Sequence, residues 1–383
     1  MMDLTPPPLA AYIHFPWCAK KCPYCDFNSH ELGGDLPETD YIKALERDLR
    51  LDLDDIQQTN ISSVFMGGGT PSLFSPGAIA DVLAILDKNI ALTADAEITM
   101  EANPGTTERY RFKGYVAAGV NRLSIGVQSF NNDQLKALGR IHDADEAEAA
   151  FNVARTEGFT NVNIDLMHGL PGQSVELALK DLESAIALKP EHISWYQLTI
   201  EPNTQFYKFP PELPDEDTLW DIFEQGTELL TASGYIQYEI SAYSQQGKQS
   251  RHNLNYWHFG DYIGIGAGAH GKLTRRDNII RTIRTRSPRD YLSEPGRKYH
   301  VIKQDDLVVE FLMNALRLRE GFSMAQFEAF TGLPGTTLNS FIDKACAKEL
   351  VIIDESASET RIQPTIRGMR FLNDLLLMVD DSA

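Results

Sequence analysis

The chain has 383 residues, of which 43% are hydrophobic and 23% are charged, and its formal net charge at pH 7 is −19. This composition is typical of a soluble globular protein with one large and one smaller domain, and the negative charge argues against nucleic acid as a partner, because nucleic-acid binding depends on a basic surface. No signal peptide, membrane-spanning apolar stretch or disulfide framework is recognisable, so we expect a cytoplasmic protein without stable membrane insertion.

Three of the four cysteines lie within eight residues, directly after the first predicted strand. That strand includes Tyr12 and ends at Pro16. The spacing places three thiolates on one loop, which suits three corners of an iron–sulfur cluster and leaves one iron without a protein ligand. A structural zinc site completed by His14 or His30 is the alternative. The cysteines concerned are Cys18, Cys22 and Cys25.

Apolar strands and amphipathic helices alternate along the next 215 residues or so. Strands are predicted at 61–66, 96–101, 120–126, 161–167, 192–200 and 235–242. Helices are predicted at 38–56, 76–88, 106–118, 133–138, 144–157, 174–188 and 216–233. This order indicates an α/β fold with a parallel sheet, in the form of a partial (β/α) barrel similar to a TIM barrel.

The carboxyl ends of parallel strands meet at one face of a barrel, and the chemistry of such proteins collects there. Residues 18, 67, 101, 128 and 165 all lie at or just past predicted strand ends, so we expect them to line one site. Glu101 ends its strand in an otherwise apolar setting. Its carboxylate therefore needs a cationic or hydrogen-bonding partner, such as a ligand ammonium or ribose hydroxyls.

The segment from Tyr12 to Cys25, with Gly67-Gly68-Gly69-Thr70-Pro71 behind the next strand, resembles the radical S-adenosylmethionine superfamily and, within it, the oxygen-independent coproporphyrinogen III oxidase family. The resemblance implies a 4Fe-4S cluster on the three cysteines and S-adenosylmethionine as a second cofactor. For each contact that it implies with S-adenosylmethionine, a structural role in bracing loops or packing the core is the alternative. The implied contacts are Tyr12, Tyr24, Gly68, Gly69, Thr70, Glu101, Gln128, Arg140 and Asp165.

Two departures from the oxidase pattern favour the heme chaperones of the same family. Phe27 stands where the oxidases carry a fourth cysteine, and the long N-terminal extension that helps to form their substrate chamber is not found before Cys18. The segment His252-Asn-Leu-Asn-Tyr256-Trp257 resembles the His-Asn-x-x-Tyr-Trp motif of the chaperones, which implies that His252 contacts heme. A satisfied surface or core histidine is the alternative for His252.

The resemblance thus implies a heme chaperone that binds heme and transfers it to acceptor hemoproteins, with an electron donor for its cluster. It leaves open whether S-adenosylmethionine is cleaved. The alternative is an enzyme that converts coproporphyrinogen III to protoporphyrinogen IX by radical decarboxylation.

The pattern changes near Arg297, so we expect a barrel domain at 1–296 and a C-terminal domain at 297–383. Helices at 305–317, 323–331, 335–348 and 365–377 and a hairpin at 351–354 and 360–363 are typical of a small α+β domain that resembles a winged helix. From residue 304 onward, thirteen acidic residues against seven Lys and Arg favour packing or partner docking over DNA binding.

A basic stretch precedes this domain. From Lys272 to Lys303 the chain has ten Lys and Arg against three acidic residues. These cations either receive the propionates of a porphyrin or pair with acidic neighbours, and the sequence does not decide between the two.

Overall fold

A computed structural model describes residues 4–105, 109–355 and 359–380 of the chain, except for the side chain of Asp380. The first three residues of the helix predicted at 106–118 lie outside the described residues. Among the helices described, none has the length and apolar character needed to cross a membrane.

Strands and helices alternate through the larger part of the chain, as predicted. The strands are β1 (Leu9–Phe15), β2 (Trp17–Cys18), β3 (His30–Glu31), β4 (Asn60–Gly68), β5 (Ala91–Ala102), β6 (Arg122–Gln128), β7 (Val162–His168), β8 (His192–Gln197), β9 (Ile236–Glu239), β10 (Ala242–Ser244), β11 (Asp261–Ile265), β12 (His270–Thr274), β13 (Ile279–Arg284), β14 (Arg297–Val301), β15 (Phe322–Ser323), β16 (Val351–Asp354) and β17 (Arg361–Pro364). The helices are α1 (Glu38–Arg50), α2 (Pro76–Asn89), α3 (Phe112–Ala118), α4 (Asn132–Ala137), α5 (Ala144–Thr156), α6 (Val175–Leu188), α7 (Gln205–Lys208), α8 (Glu216–Ala232), α9 (Arg251–Trp257), α10 (Pro288–Ser293), α11 (Gln304–Ala315), α12 (Met324–Thr331), α13 (Asn339–Ala347), α14 (Ile366–Arg370) and α15 (Leu372–Asp380).

Twelve strands form one sheet in the order β14-β13-β12-β11-β1-β4-β5-β6-β7-β8-β10-β9. The seven strands from β11 to β8 run parallel, and antiparallel strands extend the sheet at both edges. Among the described residues the two edge strands do not pair with each other, so the barrel stays open. The predicted α/β fold with a partial parallel barrel is confirmed.

The edges of the sheet differ from the prediction. The strand predicted at 235–242 divides into the antiparallel strands β9 and β10, and β12 to β14 were not predicted at all. Their basic residues obscured the strand alternation, because several of these cations are buried against acidic partners rather than exposed to solvent.

The C-terminal domain has its own sheet, in the order β15-β17-β16, and its own hydrophobic core around Phe311, Phe327 and Phe341. The predicted helices and hairpin are present, with the last predicted helix divided into α14 and α15. The boundary between residues 296 and 297 stays a prediction; Arg297–Val301 forms the edge strand of the large sheet.

An ionic cluster joins the late strands to the first helix. The guanidinium of Arg284, on β13, pairs with the carboxylates of Asp48 and Asp52, and all three side chains are fully buried. Asp48 also accepts the hydroxyl of Tyr291 (2.6 Å) and the N–H of Gly266 (3.0 Å). Burial raises the pKa of Asp48, and Arg284 opposes that rise, so the pair is stable as ions only while both partners are present.

Five of the ten cations of the basic stretch form such pairs. Lys272 pairs with Asp261 (2.9 Å), and Arg275 with Asp55 (2.8 Å). Arg281 and Arg297 also pair with acidic side chains. For these residues and Arg284, the structure supports pairing with acidic neighbours over capture of porphyrin propionates.

We expect Arg284→Ala to lower the free energy of unfolding by about 3–5 kcal/mol, because it leaves the buried carboxylate of Asp48 without a cation, whereas Asp52 keeps its pair with Arg297. Arg289→Ala, at an exposed position on the same basic stretch, is the matched control and should change it by less than about 0.5 kcal/mol. Urea unfolding of the two variants checks this. Equal stabilities would show that the Arg284 cluster does not hold β13 to α1.

Candidate functional site

The three clustered cysteines lie on a loop that is closed at its base. β2 pairs with β3, where the N–H of His30 donates to the Pro16 carbonyl (2.7 Å) and the N–H of Leu32 donates to the Cys18 carbonyl (2.9 Å). The amide of Asn28 ties the loop to the end of β11 by donating to the Ala267 carbonyl (2.8 Å). The thiols are therefore held at the carboxyl end of β1 by backbone contacts rather than by one another.

The glycine loop after β4 packs directly on the start of the cysteine loop. The N–H of Gly69 donates to the Phe15 carbonyl (2.6 Å), and that of Thr70 donates to the Trp17 carbonyl (2.8 Å). A Cβ atom on Gly69 would lie 2.5 Å from the Trp17 oxygen, and Gly68 has a left-handed φ of +107°. Only glycine allows this backbone approach and this conformation.

Two carboxyl groups face the same cavity. Glu101, at the end of β5, accepts the N–H of Gly68 (3.1 Å). Asp165, on β7, accepts from Ser124 (2.8 Å) and Asn163 (2.8 Å). Neither carboxylate has an ion-pair partner among the described residues. Burial, and then the Asp165 carboxylate, raise the pKa of Glu101 to about 8.

Arg140 brings a cation to the cysteine side of the cavity. Its guanidinium donates to the Asn103 side-chain oxygen (2.7 Å) and the Gly126 carbonyl (2.8 Å), and it lies 3.5 Å from the Cys22 sulfur. Burial opposes its charge, but Tyr24 and Cys22 raise the pKa of Arg140 above its ordinary value. The guanidinium therefore stays charged beside the Cys22 sulfur.

Gln128 is held in a strained conformation at the end of β6. It is not a glycine but has a left-handed φ of +70°, and the pairing of β6 with β7 is irregular between Gly126 and Gln128. Such strain costs about 1–3 kcal/mol and is found mainly at functional sites. The irregularity aims the side chain into the cavity, where its oxygen accepts the Tyr196 hydroxyl (2.9 Å).

One cavity, here called the cysteine cavity, brings together all the residues predicted for the cluster and S-adenosylmethionine except Tyr12. The cavity has a volume of about 140 Å³, and the exposed Phe27 is part of its lining. Its lining includes Cys18, Cys22, Tyr24, Cys25, Gly68, Gly69, Thr70, Glu101, Gln128, Arg140 and Asp165.

Tyr12 lies beneath this cavity rather than in its wall. Its hydroxyl bonds with Nδ1 of His14 (3.0 Å), and its ring stacks on Phe65 with centroids 6.3 Å apart. Tyr12 is partly buried and does not line the cavity, and its contact with S-adenosylmethionine stays a prediction.

Sequence reasoning missed five polar residues that line the cysteine cavity. They are Lys20, Ser29, Asn103, Ser124 and Tyr196. Ser124 alternates with Gly126 and Gln128 on β6, so the period of two along a strand was the available signal. Asn103 and Tyr196 carried no comparable signal, because a loop position and a tyrosine both occur commonly without a role in binding.

The alternative zinc site finds no support in the geometry. His14 donates from Nε2 to the Asn28 carbonyl (2.9 Å) and accepts from Tyr12, and His30 bonds with the Asn28 side chain (3.3 Å). Among the described residues, no three His, Cys, Asp or Glu side chains are grouped closely enough to hold one metal ion. A cubane cluster takes each thiolate on a different iron, so it tolerates a wider spacing of the three thiols than a single metal ion does.

The donor set fits the two implied cofactors. Three thiols on one tethered loop suit the three ligated irons of a 4Fe-4S cluster. Two partly buried carboxyl groups that form no ion pair with any described residue suit a ligand with positive charge, and S-adenosylmethionine carries an ammonium and a sulfonium. The bare backbone of the glycine loop lets such a ligand approach closely.

His252 lies away from this site. It is only 1% exposed, on α9, with its ring against Phe65 (5.2 Å) and Tyr256 (4.6 Å). Its N–H donates to Glu97 (3.1 Å), which precedes Glu101 by four residues and so lies about 13 Å nearer the amino end of β5. A heme iron reaches this imidazole only if α9 moves, and heme contact by His252 stays a prediction.

Comparisons with known proteins agree with this geometry. The model of the radical SAM superfamily matches residues 12–185, and the model of the HemN C-terminal domain matches residues 302–371. The solved structure of the Escherichia coli coproporphyrinogen III oxidase HemN, described as a radical SAM enzyme, has a TM-score of 0.81 at 23% identity and covers 99% of this chain and 91% of that chain. At this identity the likeness shows the fold alone.

Curated relatives are much closer in sequence. The heme chaperone HemW of Haemophilus influenzae is 53% identical over 376 residues, and that of Escherichia coli K12 is 53% identical over 374 residues. Each alignment covers 97% of this chain and 97% of the relative. The chain therefore belongs to the HemW family, within the radical S-adenosylmethionine superfamily.

Proposed function

We propose that this protein is a cytoplasmic heme chaperone, which binds heme and transfers it to acceptor hemoproteins while carrying a 4Fe-4S cluster and S-adenosylmethionine. The observation that carries the proposal is the 53% identity, over 97% of both chains, to proteins named as heme chaperones. The cysteine cavity supports the cofactor part, because it joins three thiols to two carboxyl groups that lack a cation.

In this proposal Cys18, Cys22 and Cys25 hold the cluster. When bound, the cluster and S-adenosylmethionine supply reductive cleavage of a C–S bond, which needs an external electron donor. Arg140 stabilises the charge on the Cys22 sulfur and fixes Asn103. Glu101 attracts the cationic part of the ligand, and it loses its proton as that charge arrives.

The oxidase alternative has weaker support. The solved oxidase structure resembles this chain in fold alone, and one fold carries different functions in different proteins. Phe27, at the place of the additional oxidase cysteine, is 58% exposed and offers no ligand atom. We therefore do not include decarboxylation in the proposal.

The cluster ligands can be tested by metal content. We expect the anaerobically reconstituted protein to be brown, with about four iron and four sulfide per chain, and Cys22→Ala to lose most of both. Cys346→Ala is the matched control, because Cys346 lies on α13 of the C-terminal domain, and it should keep the cluster. A wild-type protein without iron, or a Cys346 variant as depleted as the Cys22 variant, would refute the assignment.

The role of Glu101 can be tested by ligand affinity. We expect Glu101→Gln to weaken S-adenosylmethionine binding about tenfold at pH 8.5, because the amide cannot neutralise a cation. Glu31→Gln is the control, because Glu31 is exposed on β3 at the base of the cysteine loop, and this variant should bind S-adenosylmethionine as the wild type does. Anaerobic equilibrium dialysis measures both.

The pH dependence of the affinity for S-adenosylmethionine provides a second test of the role of Glu101. Without ligand, Glu101 is mostly protonated below its pKa of about 8, so its contribution to affinity should grow as the pH rises from 7 to 9. The ionisation of the ligand itself affects wild type and Glu101→Gln equally. The difference between their binding free energies at each pH therefore reports the contribution of Glu101. A constant difference between pH 7 and 9 would contradict the assignment.

Heme transfer separates the chaperone from the oxidase. We expect the reconstituted protein to bind heme and to pass it to apomyoglobin, an acceptor whose heme absorption can be followed directly. Reduced protein incubated with coproporphyrinogen III and S-adenosylmethionine should release no carbon dioxide. Release of carbon dioxide with formation of a vinyl product would favour the oxidase instead.

A further inference from the structure

The interior of the barrel carries polar side chains next to the cysteine cavity. Parallel barrels are usually filled by branched apolar side chains, but here Asn163 on β7 is paired in the sheet with His192 on β8, and both are buried. Asp165 follows Asn163 by two residues, so the two side chains project from the same face of β7. Burying polar groups lowers stability unless they are hydrogen-bonded, so the fold keeps them only with their partners in place.

One backbone N–H fixes the orientation of the Asn163 amide. The N–H of Ser194 lies 3.1 Å from one side-chain atom of Asn163, and Nδ1 of His192 lies 2.6 Å from the same atom. A backbone N–H can only donate, so that atom is the amide oxygen. The NH2 group therefore points the other way, where it donates to Oγ of Ser124 (2.7 Å) and to the carboxylate of Asp165 (2.8 Å).

The same amide oxygen fixes the tautomer of His192. Nδ1 carries the proton because it faces an acceptor, and Nε2 then accepts the hydroxyl of Tyr238 (2.8 Å). Burial, and then the charge of Arg122, hold the pKa of His192 well below its ordinary value, so the ring stays neutral. Hydrogen-bond donation thus runs in one direction, from Tyr238 through His192 and Asn163 to Asp165.

This chain of hydrogen bonds ends on both oxygens of Asp165. Oδ1 accepts from Asn163, and Oδ2 accepts the hydroxyl of Ser124 (2.8 Å), which itself accepts from Asn163. Burial raises the pKa of Asp165, and the hydrogen bonds from Ser124 and Asn163 oppose that rise. The chain therefore favours the ionised carboxylate and holds it in one orientation in the wall of the cysteine cavity.

His192 supplies the shortest of the three bonds that hold the Asn163 oxygen. The other two come from the N–H and the hydroxyl of Ser194, at 3.1 and 3.2 Å. Asp165 lines the cysteine cavity, whereas neither Asn163 nor His192 does. These two residues can therefore act on a ligand in the cavity only through the carboxylate that they hold.

We propose that Asn163 and His192 are positioning residues for S-adenosylmethionine, which hold the carboxylate of Asp165 in the orientation and the charge state that a cationic ligand needs. The inference deepens the proposed function and rests on its cofactor part. It assigns a role in binding to two buried side chains outside the cavity, with Tyr238 as the donor at the outer end of the chain.

The test is the affinity of the full-length, cluster-loaded protein for S-adenosylmethionine, measured by anaerobic equilibrium dialysis. We expect Asn163→Leu, which is similar in size and removes the amide, to weaken binding at least about tenfold, because Asp165 loses a donor that orients it. His168→Phe is the matched control, because His168 is buried on the opposite face of β7, and it should bind as the wild type does.

Substitutions of His192 separate positioning from stability. We expect His192→Phe, which removes the donor to Asn163, to weaken binding about fivefold. His192→Asn places an amide N–H near the position of Nδ1 and should restore the affinity to within about twofold of the wild type. His192→Gln places its amide near Nε2, beside Tyr238, and should bind as His192→Phe does. Urea unfolding is measured in parallel, because a merely structural role would make the affinity follow stability instead of the donor.

The outcomes separate this inference from the proposed function. If the wild type binds S-adenosylmethionine and Asn163→Leu is folded, keeps its cluster and binds equally well, the inference is wrong and the proposed function stands. Equal affinities in His192→Asn and His192→Gln also overturn the inference, and this comparison decides if Asn163→Leu or His192→Phe does not fold. If the wild type binds no S-adenosylmethionine, the cofactor part of the proposed function falls together with the inference.

Discussion

The backbone contact between the cysteine loop and the glycine loop is the constraint on which the site depends. Two hydrogen bonds, from Gly69 and Thr70 to carbonyls on either side of Pro16, fix where the first loop leaves β1. Any side chain at position 69 would collide with the Trp17 oxygen. The position of the thiols relative to Glu101 is thus decided by main-chain geometry, which changes little with the state of the side chains.

Charged side chains are arranged differently on the two sides of the cysteine loop. On one side, Asp48 and Asp52 are neutralised inside the protein by Arg284 and Arg297, and the resulting cluster holds the late strands to α1. On the cavity side, Glu101 and Asp165 are partly buried and form no ion pair within the described part of the chain. The fold therefore uses buried ion pairs for structure at one place and leaves carboxyl groups available to a ligand at the other.

Much of the site could be predicted because parallel strands bring their carboxyl ends together. That rule alone relates Cys18 to Asp165 across nearly 150 residues. Tyr12 was assigned by the family resemblance rather than by this rule, and it does not line the cavity. The strands β12 to β14 were not predicted, because their basic residues are buried in ion pairs and hide the alternation of apolar and polar residues that marks a strand.

The open barrel exposes an edge at β14, where five residues could in principle accept a strand from another molecule. The exposed Lys298 lies on that edge in the sequence Arg-Lys-Tyr-His-Val, whereas Arg297 is paired with Asp52 and Asp55. Lysine on an edge strand discourages sheet extension between copies. The basic side chains of this strand thus allow a barrel to remain unclosed in a concentrated protein solution without seeding aggregation.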